Sequence, residues 1–195
     1  MANEYKNKSD AELYNLLGGK RKKSRLAFDE LYNRYSSKIF AYCLKVMGSE
    51  DPALDVFQET FVRFYASAKK EKEMTNVNGY LIKIARNLCL NEKSKRYNDS
   101  LSLEDLQLPV YNNNYDDKQL VDLLKTAIDD LPLEYKEALV MKEFMDMSYK
   151  DIAESLDTTL PVVRIRIYRA KNKLRQLLSP YMVELDYKLE IKIND

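Results

Sequence analysis

Apolar residues recur along this chain at intervals of three and four, the spacing that lines one side of an α-helix. Leu13, Leu16 and Leu17 make a first short stripe, which Ser9 or Asp10 can cap and Gly18-Gly19 ends. A longer helix follows from Leu26 to Met47. Phe28, Leu31, Tyr35, Ile39, Tyr42 and Val46 form its apolar side, the basic run KRKKSR leads into it and Gly48 stops it. Asp51-Pro52 opens another by the cap-then-proline rule, with Leu54, Phe57, Phe61 and Phe64 inward and Asp55, Gln58, Glu59 and Arg63 on its polar side. Residues 68–79, AKKEKEMTNVNG, hold turn formers and no sustained period, which predicts a loop or a frayed helix end. From Tyr80 to Tyr97 a fourth helix turns Leu81, Ile84, Ala85 and Leu88 inward. Its outward side carries Lys83, Arg86, Asn87, Leu90 and Ser94.

The character of the chain changes at Asn98. NDSLSLEDLQLPVYNNNYDD is polar and acidic, with Pro109 and three successive asparagines, and reads as a linker between two helical units. Helical spacing resumes from Lys118 to Asp130, and Leu131-Pro132-Leu133 punctuates it. Glu134 to Met145 is then a helix with Ala138, Leu139, Met141 and Phe144 inward. Ser148 with Asp151 resembles a capping box and opens a short helix carrying Ile152, Ala153 and Leu156. A new start comes at once. Thr159 can cap it, Pro161 fits its first turn, and Val163, Ile167, Ala170, Leu174 and Leu177 form its buried seam. Ser179-Pro180 is expected to break this helix, and the tail YMVELDYKLEIKIND alternates apolar and charged residues like a strand without a partner.

Opposite that last seam lies the most informative surface of the chain. Ile165, Tyr168, Arg169 and Asn172 point away from it, surrounded by Arg164, Arg166, Lys171, Lys173 and Arg175, and no acidic residue occurs from Thr158 to Leu178. Two helices, a tight turn and a basic second helix make a helix-turn-helix, whose second helix enters the DNA major groove. The bland alternative is a solvated cationic helix on a bundle. Arg166 leans toward the flank of the seam and is expected to pair with Asp151 or Glu154 instead of reading bases.

Composition narrows the class. Among 195 residues there are only 4 Gly and 5 Pro, too few for the turns of an all-β fold or a glycine-rich phosphate loop, so an all-α protein follows. With no His and two cysteines, Cys43 and Cys89, far apart in the chain and both inside apolar runs, neither a metal site nor a disulfide framework is expected. No carboxylate pair, thiol–base pair or phosphate loop stands out, which argues against an enzyme and gives no reason for a cofactor. No apolar run reaches membrane-spanning length and MANEYKNKSD lacks the core of a secretion signal, so the expected location is cytoplasmic, without membrane contact. The net charge of +1 is low for a nucleic-acid binder, but it is segregated. Basic clusters lie at Lys20 to Arg25, at Lys93 to Arg96 and after Thr159; Asp99, Glu104, Asp105, Asp116, Asp117 and Asp122 gather between them.

Three passages in this order resemble the extracytoplasmic-function sigma factors, alternative sigma factors of the sigma-70 family of bacterial RNA polymerase. FDELYNRYSSKIFAYCLKVMG followed by DPALDVFQETFVRFY is similar to the family's first two conserved helices, with its D-x-x-QE-x-F pattern at Asp55, Gln58, Glu59 and Phe61. NVNGYLIKIARNLCLNEKSKRY resembles the helix that melts promoters and reads the minus-ten element. LPLEYKEALVMKEFMDMSYKDIAESLDTTLPVVRIRIYRAKNKL resembles the domain that reads the minus-thirty-five element. The resemblance runs from Leu26 to Leu178.

It implies an all-α fold of two small helical domains joined by an acidic flexible linker, the C-terminal one carrying the helix-turn-helix. Residues 1–97 would be sigma domain two, 98–117 the linker, 118–179 sigma domain four and 180–195 a tail of unknown role. Asp55, Gln58 and Glu59 would dock on the clamp coiled coil of the largest subunit of core RNA polymerase. Lys83, Arg86, Asn87 and Asn91 would face the minus-ten strand of promoter DNA, Tyr80 would stack on a base, and the Lys69 to Asn78 loop would hold a flipped base. Arg164, Ile165, Tyr168 and Arg169, with Thr159 and Lys173, would face the minus-thirty-five element. An anti-sigma factor is a further implied partner. The chain departs from the family pattern at Tyr80, where Trp is usual, at Asn91, where an acid is common, and at Asp157, Pro161 and Ile165 around the helix turn. The competing reading is a helix-turn-helix regulator acting without polymerase, which would need neither the Asp55-Gln58-Glu59 helix nor a melting helix.

Overall fold

The computed structural model describes the backbone of residues 2–68, 74, 76–99 and 117–194. Among these residues every regular element is an α-helix: α1 (Ala2–Lys6), α2 (Asp10–Leu17), α3 (Arg21–Met47), α4 (Glu50–Ser67), α5 (Val77–Asp99), α6 (Asp117–Asp129), α7 (Leu133–Glu143), α8 (Tyr149–Ser155) and α9 (Leu160–Asn194).

Local chemistry accounts for the helix ends. A full capping box opens α2, with Ser9 N donating to Glu12 Oε2 at 2.7 Å and Glu12 N donating to Ser9 Oγ at 3.3 Å. The Ser9 hydroxyl and the Ser9 N–H, both donating to Glu12 Oε2, hold that carboxyl below its usual value. Gly48 ends α3 at φ 78°, a left-handed conformation that suits glycine, and its N–H closes on Leu44 O. The basic run before Leu26 is helical too, so α3 begins five residues earlier than its apolar stripe predicts. Lys and Arg are good helix formers, and Ser24 Oγ donates to Leu17 O at 2.6 Å, tying this first turn to α2.

The N-terminal half is packed around aromatic rings. Phe28, Tyr32 and Phe40 of α3 meet Phe57 and Phe61 of α4 edge-on or tilted, at centroid separations of 4.9 Å for Tyr32–Phe61 and 5.6 Å for Phe40–Phe57. Such pairs add roughly 0.5–1.5 kcal/mol each beyond the area they bury. Leu54, expected inward, is 42% exposed, because Ala53, Val56, Phe57, Thr60, Phe61 and Phe64 already fill the buried face. Arg34 fastens the N-terminus to α3, bonding Glu30, Asp10 and the carbonyls of Tyr5 and Lys6.

In the C-terminal half α6, α7 and α8 pack on α9, with Leu131, Leu139 and Ala170 buried between them. Lys136 is buried and donates to Asp129 O at 2.7 Å, placing a cation at the carbonyl end of α6. Phe144 was expected in this core and is 45% exposed. It caps the end of α7, where the chain leaves the helix, and Lys45 of α3 stands 5.8 Å over its ring. The expected break at Pro180 does not occur: α9 continues to Asn194. One proline removes one ladder bond, whereas the tail is rich in Leu, Glu and Lys, which favour helix, and no partner strand exists among the described residues. Leu177 is 37% exposed, beyond the part of the seam that the bundle covers.

Helix α5 also starts earlier than expected, at Val77. The Asn76 carboxamide accepts from Gly79 N at 2.8 Å, and a Cβ on Gly79 would collide with that same side chain. Residues 100–116, which carry most of the predicted linker, lie outside the described residues, as do 69–73 and 75 of the predicted base-holding loop. The two halves share one continuous buried core, in which Leu31, Tyr42 and Cys89 belong to the same cluster as Met141, Ile152 and Val163.

Phe61→Ala should lower the unfolding free energy by about 3–5 kcal/mol in urea titration. Val62→Ala, one residue on and 62% exposed, should change it by less than about 0.5 kcal/mol.

Candidate nucleic-acid interface

The turn between α8 and α9 is set by Asp157 at φ 48°, a conformation Asp tolerates better than most residues, where glycine is the easier choice. Thr158 N donates to Ala153 O at 2.9 Å and Leu156 N to Ile152 O at 2.9 Å, closing the end of α8. Ser148 Oγ accepts from Asp151 N at 3.1 Å and caps its start. Val163, Ile167 and Ala170 are buried, which fixes the rotation of α9 about its axis.

That rotation presents Ile165 at 49% and Tyr168 at 66% exposure, large side chains left in water on the surface of a packed bundle. Thr159, Arg164, Arg169 and Lys173 are exposed around them. The Arg164 guanidinium lies 5.9 Å from the Tyr149 ring, and Arg169 Nη1 donates to Tyr135 Oη at 3.3 Å, so both guanidiniums are oriented by the bundle. Other cations of α9 serve the fold. Arg166 pairs with Glu134 at 2.8 Å, not with the expected Asp151 or Glu154, because its flank of α9 faces α7. Lys171 pairs with Glu143 at 2.8 Å. The surface that remains is a strip of aromatic, aliphatic and guanidinium groups, the kinds of group that can contact base edges and phosphates.

On α5 the predicted residues fall into two groups. Asn87 and Asn91 are exposed. Lys83 and Arg86 point out of the N-terminal half but meet the C-terminal one. Lys83 Nζ donates to Asp157 Oδ1 at 2.9 Å, which holds that carboxyl below its usual value, so the pair is intact throughout neutral pH and dissolves only in acid below that carboxyl's pKa. Arg86 Nε lies 3.2 Å from Glu137 Oε1 without the alignment of a hydrogen bond. Tyr42 Oη donates to the same Glu137 oxygen at 3.1 Å, and burial beside that carboxylate pushes the Tyr42 phenol far up. Tyr80 is half-buried with its ring 6.3 Å from Phe64, so it belongs partly to the core.

On α4, Asp55 and Gln58 are exposed and Glu59 pairs with Arg63 at 2.7 Å. Leu54 and Val62 stand exposed on the same outward side. These two apolar residues are absent from the sequence-derived site, although the spacing of Leu54, Gln58 and Val62 at steps of four, away from the phenylalanine face, marks them. A groove of about 530 Å³ lies between α4 and α5 and brings Asp55 and Glu59 beside Asn91. The contacts of Asn76, Glu137, Asp151 and Asp157 had no local signal, since each joins residues more than seventy positions apart or spans two halves.

Cys43 and Cys89, distant in sequence, meet inside the core. The hydrogen bond with Cys43, together with burial, pushes the Cys89 thiol well above its usual value. Among the described residues no cluster of His, Cys, Asp or Glu could hold a metal ion, and no helix is long and apolar enough to cross a membrane.

Comparison with known proteins agrees with this geometry. Residues 31–105 match the family model for sigma-70 region 2, and residues 122–174 match that for sigma-70 region 4. The chain is 29% identical over 165 residues to the ECF RNA polymerase sigma factor SigE of Mycolicibacterium smegmatis, covering 81% of this chain and 64% of that one. It is 27% identical over 172 residues to the ECF RNA polymerase sigma-E factor of Haemophilus influenzae, covering 80% and 89%. The fold is similar to that of the sigma factor RpoE crystallised with the anti-sigma factor NepR from Bartonella quintana, at a TM-score of 0.65 and 22% identity over 78% of this chain and 96% of that one. It is equally similar to CnrH in complex with the cytosolic domain of CnrY, at a TM-score of 0.66 and 18% identity over 88% and 99%. Two matched regions in the family's order, on a fold with the helix-turn-helix in place, lead to one conclusion: the chain belongs to the sigma-70 family and is an extracytoplasmic-function sigma factor, an alternative sigma factor that directs transcription initiation.

Proposed function

We propose that residues 1–97 act as sigma domain two and residues 118–179 as sigma domain four, and that together they bridge core RNA polymerase and promoter DNA in the cytoplasm. The observation that carries the reading is the outward strip of α9, where Ile165 and Tyr168 stand exposed between the oriented guanidiniums of Arg164 and Arg169. Such a strip, with Ile165 and Tyr168 left in water, suits what a major groove offers, base edges and thymine methyls flanked by phosphates. Thr159 and Lys173 lie at its ends and take phosphate contacts.

Core polymerase docks on α4. Asp55, Gln58 and Glu59 supply polar contacts to a helical coiled coil of the largest subunit, and the exposed Leu54 and Val62 give that contact an apolar centre. The minus-ten strand lies along α5, with Asn87 and Asn91 bonding bases and Lys83 and Arg86 meeting phosphates once they are free of the C-terminal half. Tyr80 contributes its ring edge, which Phe64 leaves partly open. The protein supplies binding energy and no bond chemistry, and it needs no cofactor. The two solved structures of similar fold hold an anti-sigma factor or a cytosolic domain of a partner, and an anti-sigma factor is the partner we assign to the inhibited form of this chain.

Arg169→Ala in holoenzyme should weaken binding to promoter duplex by about 1–3 kcal/mol, read by fluorescence anisotropy, with core affinity unchanged. Equal binding by the variant would remove Arg169 from the reading strip. For the docking face, Asp55→Ala with Leu54→Ala should weaken association with purified core enzyme by at least about 2 kcal/mol in a pull-down titration, with duplex recognition by α9 intact. Undiminished core binding would place the docking surface elsewhere.

A further inference from the structure

The cations at the start of α3 take no part in the contacts described above. Lys20, Arg21, Lys22, Lys23 and Arg25 are all exposed. No ion pair ties the first four to an acid among the described residues, and Arg25 has only Asp29, at 4.0 Å in the open, where an ion pair contributes little. The helix itself does not call for them. Its macrodipole disfavours cations at the N-terminus, the first turn holds no acid, and Lys20 at the N-cap position makes no side-chain cap.

A groove of about 440 Å³ runs beside these cations, between the first turns of α3 and the last turns of α4. Arg21 and Arg25 line it together with Phe28, Phe61, Val62 and Tyr65. Phe28 crosses Tyr65 at 5.4 Å between centroids and 80°, and Phe61 at 6.2 Å and 88°, so the rings fix one another's tilt. Tyr65 Oη is bonded to Ser24 Oγ at 3.0 Å, which leaves the two guanidiniums as the groove's remaining polar side-chain groups. A second hollow, of about 620 Å³, is lined by Arg21, Lys22, Arg25, Leu26 and Asp29. The two share Arg21 and Arg25, so the guanidiniums form a ridge with a hollow on either flank.

We propose that this face of the N-terminal half binds single-stranded DNA, at a site separate from α5 and α9: phosphates lie on Arg21, Lys22 and Arg25, and unstacked bases rest against the apolar floor of Phe28, Val62 and Tyr65. Cations beside aromatic rings are the combination that follows an unpaired strand, whose backbone is charged and whose bases present π-faces. A duplex keeps its bases stacked and has no use for the floor. An RNA strand would bring 2′-hydroxyls to a floor with nothing to bond them. The site goes beyond the sigma-factor reading and does not depend on it. Val62 also borders the docking face of α4, so binding is tested on the free chain.

In the test, labelled oligothymidylate is titrated by fluorescence anisotropy with the full chain, with an Arg21→Ala/Arg25→Ala double variant and with Tyr65→Leu, each at a series of salt concentrations. Oligouridylate and a polyglutamate peptide of equal charge serve as competitors. Ultraviolet cross-linking followed by mass spectrometry of the peptides locates the contact, and circular dichroism checks helix content.

The double variant should bind at least about fivefold more weakly, and the slope of log affinity against log salt should flatten by about 1.4, the value for two phosphate contacts on a single strand. Tyr65→Leu, which keeps apolar bulk and removes the ring, should weaken binding about threefold or more with the slope unchanged. Cross-links should fall on peptides holding Phe28 or Tyr65. If Tyr65→Leu loses helix content, the double variant, whose two side chains are exposed, decides. Full affinity and an unaltered slope in the double variant overturn the site, as do cross-links confined to α5 or α9. Equal competition by polyglutamate overturns the choice of nucleic acid, and equal competition by oligouridylate overturns the choice of DNA.

Discussion

A carboxylate taken out of water must find partners or give up its charge, and Glu137 is the place where this chain meets that constraint. It is 3% exposed, and its partners, Tyr42 of α3 and Arg86 of α5, both come from the other half of the molecule. A buried ion pair adds little net stability over an apolar contact of equal shape, but breaking one by removing a single partner costs about 3–5 kcal/mol. Such a contact adds little to the net energy of docking, but any arrangement that separates Glu137 from Arg86 leaves a buried charge without its partner. Around it, Lys83–Asp157 and Asn76–Asp151 tolerate water and can exchange partners at small cost.

The cations of the chain are divided by the same logic. Arg166 and Lys171 are matched to Glu134 and Glu143 within the C-terminal half, which neutralises their charge there. Arg164 and Arg169 lean on aromatic partners that orient without neutralising, which leaves their charge available to an incoming phosphate. Lys83 and Arg86 are neutralised across the interface between the halves. One chain therefore carries an open basic strip and a covered one, although its formal charge is only +1.

Much of this was legible from residue spacing. The seam of α9 through Ala170, the Ser9 and Ser148 caps, the stop at Gly48 and the outward side of Ile165, Tyr168 and Arg169 each follow from contacts within a few residues, which sequence encodes directly. Misplacements arose where a neighbour in space decided. Leu54 was displaced from the core by Ala53 and Val56, Phe144 met Lys45 of another helix, and Arg166 chose Glu134 over two acids nearer in sequence. Pro180 lost to the helix-forming residues on either side of it. The pairing of Lys83 and Arg86 with the C-terminal half was out of reach for the same reason, because no periodicity describes how two packed halves meet.

The central claim is that this chain lends core polymerase its choice of start site. The direct measurement is transcription in vitro by purified bacterial core enzyme on a supercoiled library of genomic fragments, with and without the chain, with RNA 5′ ends mapped by sequencing. The account predicts new start sites that share two upstream sequence elements at a fixed separation. A 5′-end profile indistinguishable from that of core enzyme alone would contradict it.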